Sequence, residues 1–212
     1  DNKKLKGKDV ITIGIFTAIY FAINFGFMLL GGLHPLMWIL MPGFIALVGS
    51  IPYMIMVQKV KKTGAVIIMG VIVAIIYYLT GQFSLIIIAS LAIASILAEL
   101  IRYLSKYDSY KGNSLSYAFF SLGMIGSPAQ VWILKDEFIS KMLENGMPVD
   151  YVNTLKSFIN TPMLIVLIVT PFVLGLLSCG ILKSFLYKNF FFFFYILHFY
   201  FYFFFLFFFP FF

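Results

Sequence analysis

The stretch Val10–Leu30, VITIGIFTAIYFAINFGFMLL, decides the fold. It holds no charged side chain, and Lys3, Lys4, Lys6 and Lys8 precede it. An α-helix rises about 1.5 Å per residue, so a run of this length crosses the roughly 30 Å hydrocarbon layer of a bilayer. It is too long for the apolar core of a signal peptide. Five further apolar segments follow, at about 36–57, 64–80, 83–104, 114–134 and 161–182. The 212 residues are 62% hydrophobic and 11% charged, against about 45–50% and about 25% in a soluble domain. Too little polar surface remains to coat a water-soluble globule. The expected fold is an all-α integral membrane protein, a compact bundle of six transmembrane helices formed by residues 1–188.

The net charge of +7 is a topology signal rather than a nucleic-acid footprint, because the basic residues sit at the ends of apolar segments. Lys3, Lys4, Lys6 and Lys8 precede the first segment. Lys59, Lys61 and Lys62 follow the second, Arg102, Lys106 and Lys111 follow the fourth, and Lys183 and Lys188 follow the sixth. The other side carries only Lys135, Lys141 and Lys156, offset by Asp136, Glu137, Glu144 and Asp150. Basic residues are retained in the cytoplasm. The reading is a multi-pass protein of a cell membrane with both termini cytoplasmic and no nucleic-acid partner.

The outer connections are unequal. Gly31–Pro35 is short, and Thr80–Phe83 is a tight turn through Gly81. The third, Lys135–Asn160, is long, and its pattern predicts two short helices over 136–144 and 150–158. Val152, Leu155, Phe158 and Ile159 recur at helical spacing, as in an amphipathic piece lying over the membrane face. A long, partly helical loop on a compact bundle is often a lid or binding loop. The tail 189–212 is different. Residues 190–212 contain fifteen Phe and no Gly, Ala, Ser or Thr, so nothing lets a second helix pack closely against them. The tail reads either as a seventh span or, the favoured reading, as thymine-rich DNA translated past a frameshift or lost stop, and it is assigned no function.

Gly14, Ala18, Ala22 and Gly26 recur every fourth residue in the first segment. In lipid, close helix–helix approach needs such a small-residue stripe. It either docks another membrane subunit or packs inside the bundle. A second group gathers at the outer ends of the segments: His34 and Trp38, then Tyr77, Tyr78 and Gln82, then Gln130 and Trp132, and Asn160. Aromatic walls with a few placed polar groups make a binding pocket, whereas Trp and Tyr alone also form the belt at the headgroup level. Gln82, Gln130 and Asn160 are harder to assign to the belt, because amides at the membrane edge want partners. Asn24, deep in the first segment, either bonds across helices or faces a cavity. Glu99 and Arg102, three residues apart, read as a local pair at the interface, at little cost. Cys179 stands alone in an apolar run, so it reads as a small buried residue and no disulfide is possible.

Absences narrow the function. The sequence carries no zinc-protease signature, no nucleophile elbow, no phosphate-binding loop and no acidic pair in mid-membrane. His34 and His198 are too far apart to propose a metal site. Neither enzyme activity nor a cofactor is expected, and uphill transport would draw its energy from a partner.

Several segments carry a family resemblance. Lys8–Ala18, KDVITIGIFTA, resembles the opening of the MptD, or Trep_Strep, family of substrate-specific components of energy-coupling factor transporters. Ile51-Pro52-Tyr53-Met54 is similar to the end of that family's second helix, and Leu79-Thr80-Gly81 to its third-helix turn. Tyr117–Leu122, followed by Met124-Ile125-Gly126, is similar to its fifth helix, and Tyr151–Leu155 to the loop before its sixth. The similarity covers about residues 3–188, and the specificity lies in the order and spacing of the motifs together. It implies a six-helix subunit that captures a vitamin-like micronutrient outside and docks on a membrane-embedded coupling protein driven by two cytoplasmic ATPases. In related subunits an alanine-x-x-x-alanine pattern in the first helix contacts the coupling protein, and Ala18 and Ala22 fall on it. After the Thr-Gly turn this chain has Gln82-Phe83-Ser84, a departure from the family pattern that bears on specificity. Few outer charges and many aromatic side chains suit a small, weakly charged, ring-containing ligand. The alternatives are a self-sufficient small facilitator and an integral-membrane enzyme acting on lipids or peptides.

Overall fold

The computed structural model describes residues 4–82 and 84–188, with side chains through 184. Where the backbone has only lipid around it, every N–H and C=O must find a partner inside its own segment, which selects helix. Each apolar segment is helical. The order is α1 (Gly7–Gly31), α2 (Pro35–Lys59), α3 (Ala65–Leu79), α4 (Leu85–Leu104), α5 (Tyr110–Ser121), a 3-10 turn (Leu122–Ile125), α6 (Gly126–Ile133), α7 (Lys135–Glu144), α8 (Val149–Phe158) and α9 (Thr161–Lys188). The two helices predicted in the long connection are α7 and α8, and Val152 and Leu155 are buried as their spacing requires.

Among the described residues, four helices are long and apolar enough to cross a membrane: Gly7–Gly31, Pro35–Lys59, Leu85–Leu104 and Thr161–Ser184. A fifth crossing results if Tyr110–Ile133 and Lys135–Glu144, bent by 95° at their junction, are taken as one span. The remaining apolar helix, α3, has 15 residues. At 1.5 Å per residue it is roughly 22 Å long, short of the hydrocarbon thickness.

The chain divides into two compact units, Asp1–Cys179 and Gly180–Phe212. The described part of the second is the end of α9, and the Phe-rich tail with the reading given to it lies outside the described residues. In the first unit α2 is the most deeply packed of the helices: Ile39, Ile45, Ala46, Tyr53, Met54, Met56 and Val57 are all fully buried. Caps fix the starts of helices. The side chains of Ser84 and Ser109 accept the Ile86 and Gly112 backbone N–H groups at the heads of α4 and α5. His34 does the same for Leu36 at the head of α2, with Pro35 in the first helical position, where its missing N–H costs nothing.

The fifth segment is not one continuous α-helix. Gly123 and Gly126 lie tight against α4, where a Cβ on Gly126 would sit 2.8 Å from Ile87 Cα and 3.0 Å from the Ile86 carbonyl oxygen. Ser90 Oγ donates to the Gly123 carbonyl at 2.9 Å. This close approach and the borrowed carbonyl go with the tightened 3-10 turn.

Glu99 and Arg102 also differ from the sequence reading. They are no cheap interfacial pair: Arg102 is fully buried and Glu99 only 6% exposed. The reason lies in the helix ends around them. Glu99 accepts the backbone N–H groups of Gly64 and Val66, at 2.8 and 3.0 Å, at the head of α3. Arg102 Nη2 donates to the Val60 carbonyl at 2.8 Å, at the tail of α2. Its Nη1 lies 3.7 Å from Glu99, and its guanidinium stands 5.1 Å from the Tyr107 ring centroid. A carboxylate thus meets a helix N-terminus and a guanidinium a helix C-terminus, each matching the local partial charge. Asp9 adds a third tie, accepting from Lys62 Nζ at 2.6 Å and from the Lys6 backbone N–H at 2.7 Å. These contacts gather the start of α1, the end of α2, the start of α3 and the end of α4 at one end of the unit.

Candidate functional site

The opposite end is built by the connections that leave α1 and enter α2, and by α6, α7 and α8. Ile39, Val131, Leu155 and Leu167 form its buried centre, with Trp38, Trp132, Phe138, Met142, Phe158 and Ile159 packed against them. Trp38 projects from the first turns of α2, and its ring lies nearly parallel to that of Phe138 on α7, with centroids 5.8 Å apart and planes 5° from parallel. His34 faces Phe158 edge-on at 6.3 Å. Trp132 Nε1 donates to the Asn160 carbonyl at 3.2 Å, and the Asn160 side chain caps α9 by accepting the Met163 N–H at 2.9 Å. Tyr151 Oη donates to the Gly31 carbonyl at 2.7 Å, tying α8 to the end of α1. Burial pushes the Tyr151 phenol above its ordinary range.

Of the eight residues proposed from sequence to line a pocket, the structure therefore gathers His34, Trp38, Trp132 and Asn160 around the α7–α8 connection. Gln130 is half-buried on α6 and donates to the Ser127 carbonyl within its own helix at 3.0 Å. Tyr77 is elsewhere: it is buried and donates to Asn24 Oδ1 at 3.3 Å. Tyr78 and Gln82 are exposed at the α3–α4 turn. Phe138 and Tyr151 were not singled out as pocket residues by sequence reasoning. Phe138 falls inside a ten-residue helix rich in charge, and a lone aromatic there gives no sign of what it touches. Phe158 was visible in the amphipathic spacing, though not its partner His34.

The interior holds a second group of polar contacts. Asn24 bonds across helices, donating through Nδ2 to Met124 Sδ at 2.9 Å while it accepts from Tyr77. Tyr53 and Ser116 are 2.7 Å apart, and Ser116 donates to the Ala98 carbonyl, so the Tyr53 hydroxyl is the donor to Ser116. Tyr117 donates to the Ala46 carbonyl at 2.9 Å. These bonds join α1, α2, α3, α4 and α5 and read as the polar ties of a membrane bundle.

On α1 the two faces differ. Ile13, Thr17, Tyr20 and Asn24 are buried. Ala18 and Ala22 are exposed, and a Cβ added at Gly14 or Gly26 would meet nothing within 4 Å. The small-residue stripe therefore does not pack inside the described bundle and presents a shallow, unfilled surface along one helix.

Residues 7–192 match the family model described as a hypothetical bacterial integral membrane protein (Trep_Strep). No curated protein and no solved structure matches the chain.

Proposed function

The chain belongs to the Trep_Strep family of bacterial integral membrane proteins, and from that premise we propose that it is the substrate-binding subunit of an energy-coupled micronutrient importer. In this reading the six apolar segments all cross the cell membrane, with both termini and the Glu99–Arg102 end cytoplasmic. The short α3 fits a locally thinned bilayer. The subunit captures a small vitamin-like compound at the outer end, beneath α7 and α8. It then docks on a membrane-embedded coupling protein that two cytoplasmic ATPases drive.

The observation that carries the reading is the outward stripe of Gly14, Ala18, Ala22 and Gly26 on α1. Lipid gives no reason to align four small residues on an exposed helix face, whereas a partner helix does, because it approaches closely only where side chains are small. The sequence resemblance supports the same assignment through the alanine-x-x-x-alanine pattern. The outer cluster supplies what a neutral ring needs: indole and phenyl faces and a few backbone carbonyls.

The test is affinity purification of the tagged full chain from its host membranes, followed by mass spectrometry of retained proteins and small molecules. The reading expects a coupling protein, two ATPases and a bound micronutrient. A homogeneous oligomer without ATPases overturns it and favours a self-sufficient facilitator.

A further inference from the structure

Two ion pairs draw three basic stretches, far apart in sequence, onto one surface. Asp9, in the first turn of α1, holds Lys62 of the α2–α3 connection, and Asp108 of the α4–α5 connection holds Lys61 beside it. Lys4, Lys6 and Lys8 come with the first carboxylate, Lys106 and Lys111 with the second, and Lys59 ends α2. All six are exposed, and among the described residues none lies within ion-pair distance of a carboxylate. The remaining acidic group at this end, Glu99, is buried and occupied by Arg102 and the head of α3. Six ammonium groups therefore share a surface on which every carboxylate is already engaged. The opposite end is the reverse: Lys135, Lys141 and Lys156 stand among Asp136, Glu137, Glu144 and Asp150.

The depth of these lysines selects their partner. Lys8 precedes Val10 and Ile11, both exposed apolar side chains of a membrane-length helix. Three residues of helix advance only about 4.5 Å along the axis. Lys106 likewise follows directly on Tyr103 and Leu104, exposed at the end of α4. Exposed Tyr is characteristic of the headgroup level. The ammonium groups thus sit at the boundary between hydrocarbon and water, where lipid phosphates lie, and long Lys side chains reach that layer readily.

We propose that this end of the bundle is a binding surface for anionic phospholipid headgroups, with Lys4, Lys6 and Lys8 on one side of the α2–α3 connection and Lys59, Lys106 and Lys111 on the other. The lipid phosphates supply the negative charge that the chain itself lacks there. The Asp9–Lys62 and Asp108–Lys61 pairs hold the two groups of lysines on the common surface. The inference goes beyond the substrate-binding reading and does not depend on it, nor on which side of the membrane this end faces.

The full chain is purified in dodecyl maltoside micelles holding equal amounts of phosphatidylglycerol and phosphatidylcholine with matched acyl chains, and the lipids it retains are quantified by mass spectrometry. One Lys near a headgroup favours an anionic lipid by about fivefold. The retained ratio of phosphatidylglycerol to phosphatidylcholine is expected to exceed the micelle ratio by about that factor or more. It is expected to fall toward one between about 0.1 and 1 M NaCl, as the Debye length contracts from about 10 to 3 Å. Lys4→Gln/Lys6→Gln/Lys8→Gln and, separately, Lys59→Gln/Lys106→Gln/Lys111→Gln are each expected to reduce the enrichment about twofold or more, and both sets together to abolish it. Lys135→Gln/Lys141→Gln/Lys156→Gln is expected to leave it unchanged. Glycerol 3-phosphate, which has the phosphate without acyl chains, is expected not to displace the lipid at equal concentration. Equal retention of the two lipids by the parent overturns the proposal and leaves these lysines to an acidic partner protein. Enrichment that survives high salt or both sets of substitutions overturns it as well, as does loss in the variant of the opposite end or displacement by glycerol 3-phosphate. The salt series uses the parent chain alone, so the proposal stays falsifiable if a variant fails to fold.

Discussion

Replacing Glu99 by Ala removes the carboxylate that holds the head of α3 to α4. Two backbone N–H groups, of Gly64 and Val66, lose acceptors now at 2.8 and 3.0 Å. Hydrogen bonds to a charged group contribute about 1.5–3 kcal/mol each. The change also strands Arg102, which is fully buried, and removing one partner of a buried ion pair costs about 3–5 kcal/mol. The two contributions overlap, because Glu99 serves both, so the expected loss is about 4 kcal/mol rather than their sum. For a chain of this size about 1 kcal/mol moves Tm by about 2–4 °C, which puts the drop on the order of 8–16 °C. The single cysteine, Cys179, is buried and is a built-in reporter: a thiol-reactive fluorogenic maleimide gains signal as the detergent-solubilised chain unfolds. Glu99→Gln retains one acceptor and is expected to lose about half as much. The pair Glu99→Ala with Arg102→Met is expected to be more stable than Glu99→Ala alone, because the uncompensated charge is gone. A Glu99→Ala variant that melts within about 2 °C of the parent refutes the reasoning, since a buried tie between helix ends cannot be lost so cheaply.

Three further outcomes are expected. Gly126→Ala places a Cβ 2.8 Å from Ile87 Cα, backbone that cannot swing aside, and is expected to cost about 1–3 kcal/mol in the same melting assay; no change there means α4 and α6 are less close than described. Asn24→Ala leaves Tyr77 only the weak Met28 Sδ acceptor at 3.7 Å, and the expected loss is about 1 kcal/mol, with Tyr77→Phe adding little on top of it; additive losses refute the bond. In a Cys179→Ser background, a cysteine placed at Asn145 is expected to react with an impermeant maleimide in intact cells and one placed at Lys61 only after lysis. The reverse result inverts the proposed topology.

Much of the architecture is legible in the amino-acid order, because a membrane demands long uncharged runs and puts the basic residues at their ends. The six segments and both short helices could be drawn from that pattern alone. The interruption at Leu122–Ile125 could not, because it depends on which face of α4 Gly123 and Gly126 approach, a contact between segments distant in sequence. Arg102 was misjudged for a related reason. Spacing shows that Glu99 lies one turn away, but not that the ends of α2 and α3 converge on both side chains and justify their burial. The candidate site was legible by position and not by partnership. His34, Trp38, Trp132 and Asn160 gather around the α7–α8 connection, since all lie at the same end of neighbouring helices. Tyr77 turns inward to Asn24 instead, and Phe138, the residue against Trp38, comes from a charged helix whose placement follows from the bend after Ile133. The stripe on α1 was readable as a stripe, while its outward direction required the packing of Ile13, Thr17, Tyr20 and Asn24 on the other face.

The central claim is that this outward face of α1 docks a coupling protein. The most direct test compares the tagged full chain with its Ala18→Leu/Ala22→Leu variant, quantifying by mass spectrometry the coupling protein and ATPases each retains from host membranes. Leucine at both positions fills the groove without touching the buried face, so the account predicts that partner recovery falls at least tenfold while the Cys179 melting temperature holds. Undiminished recovery from a variant that melts like the parent contradicts it.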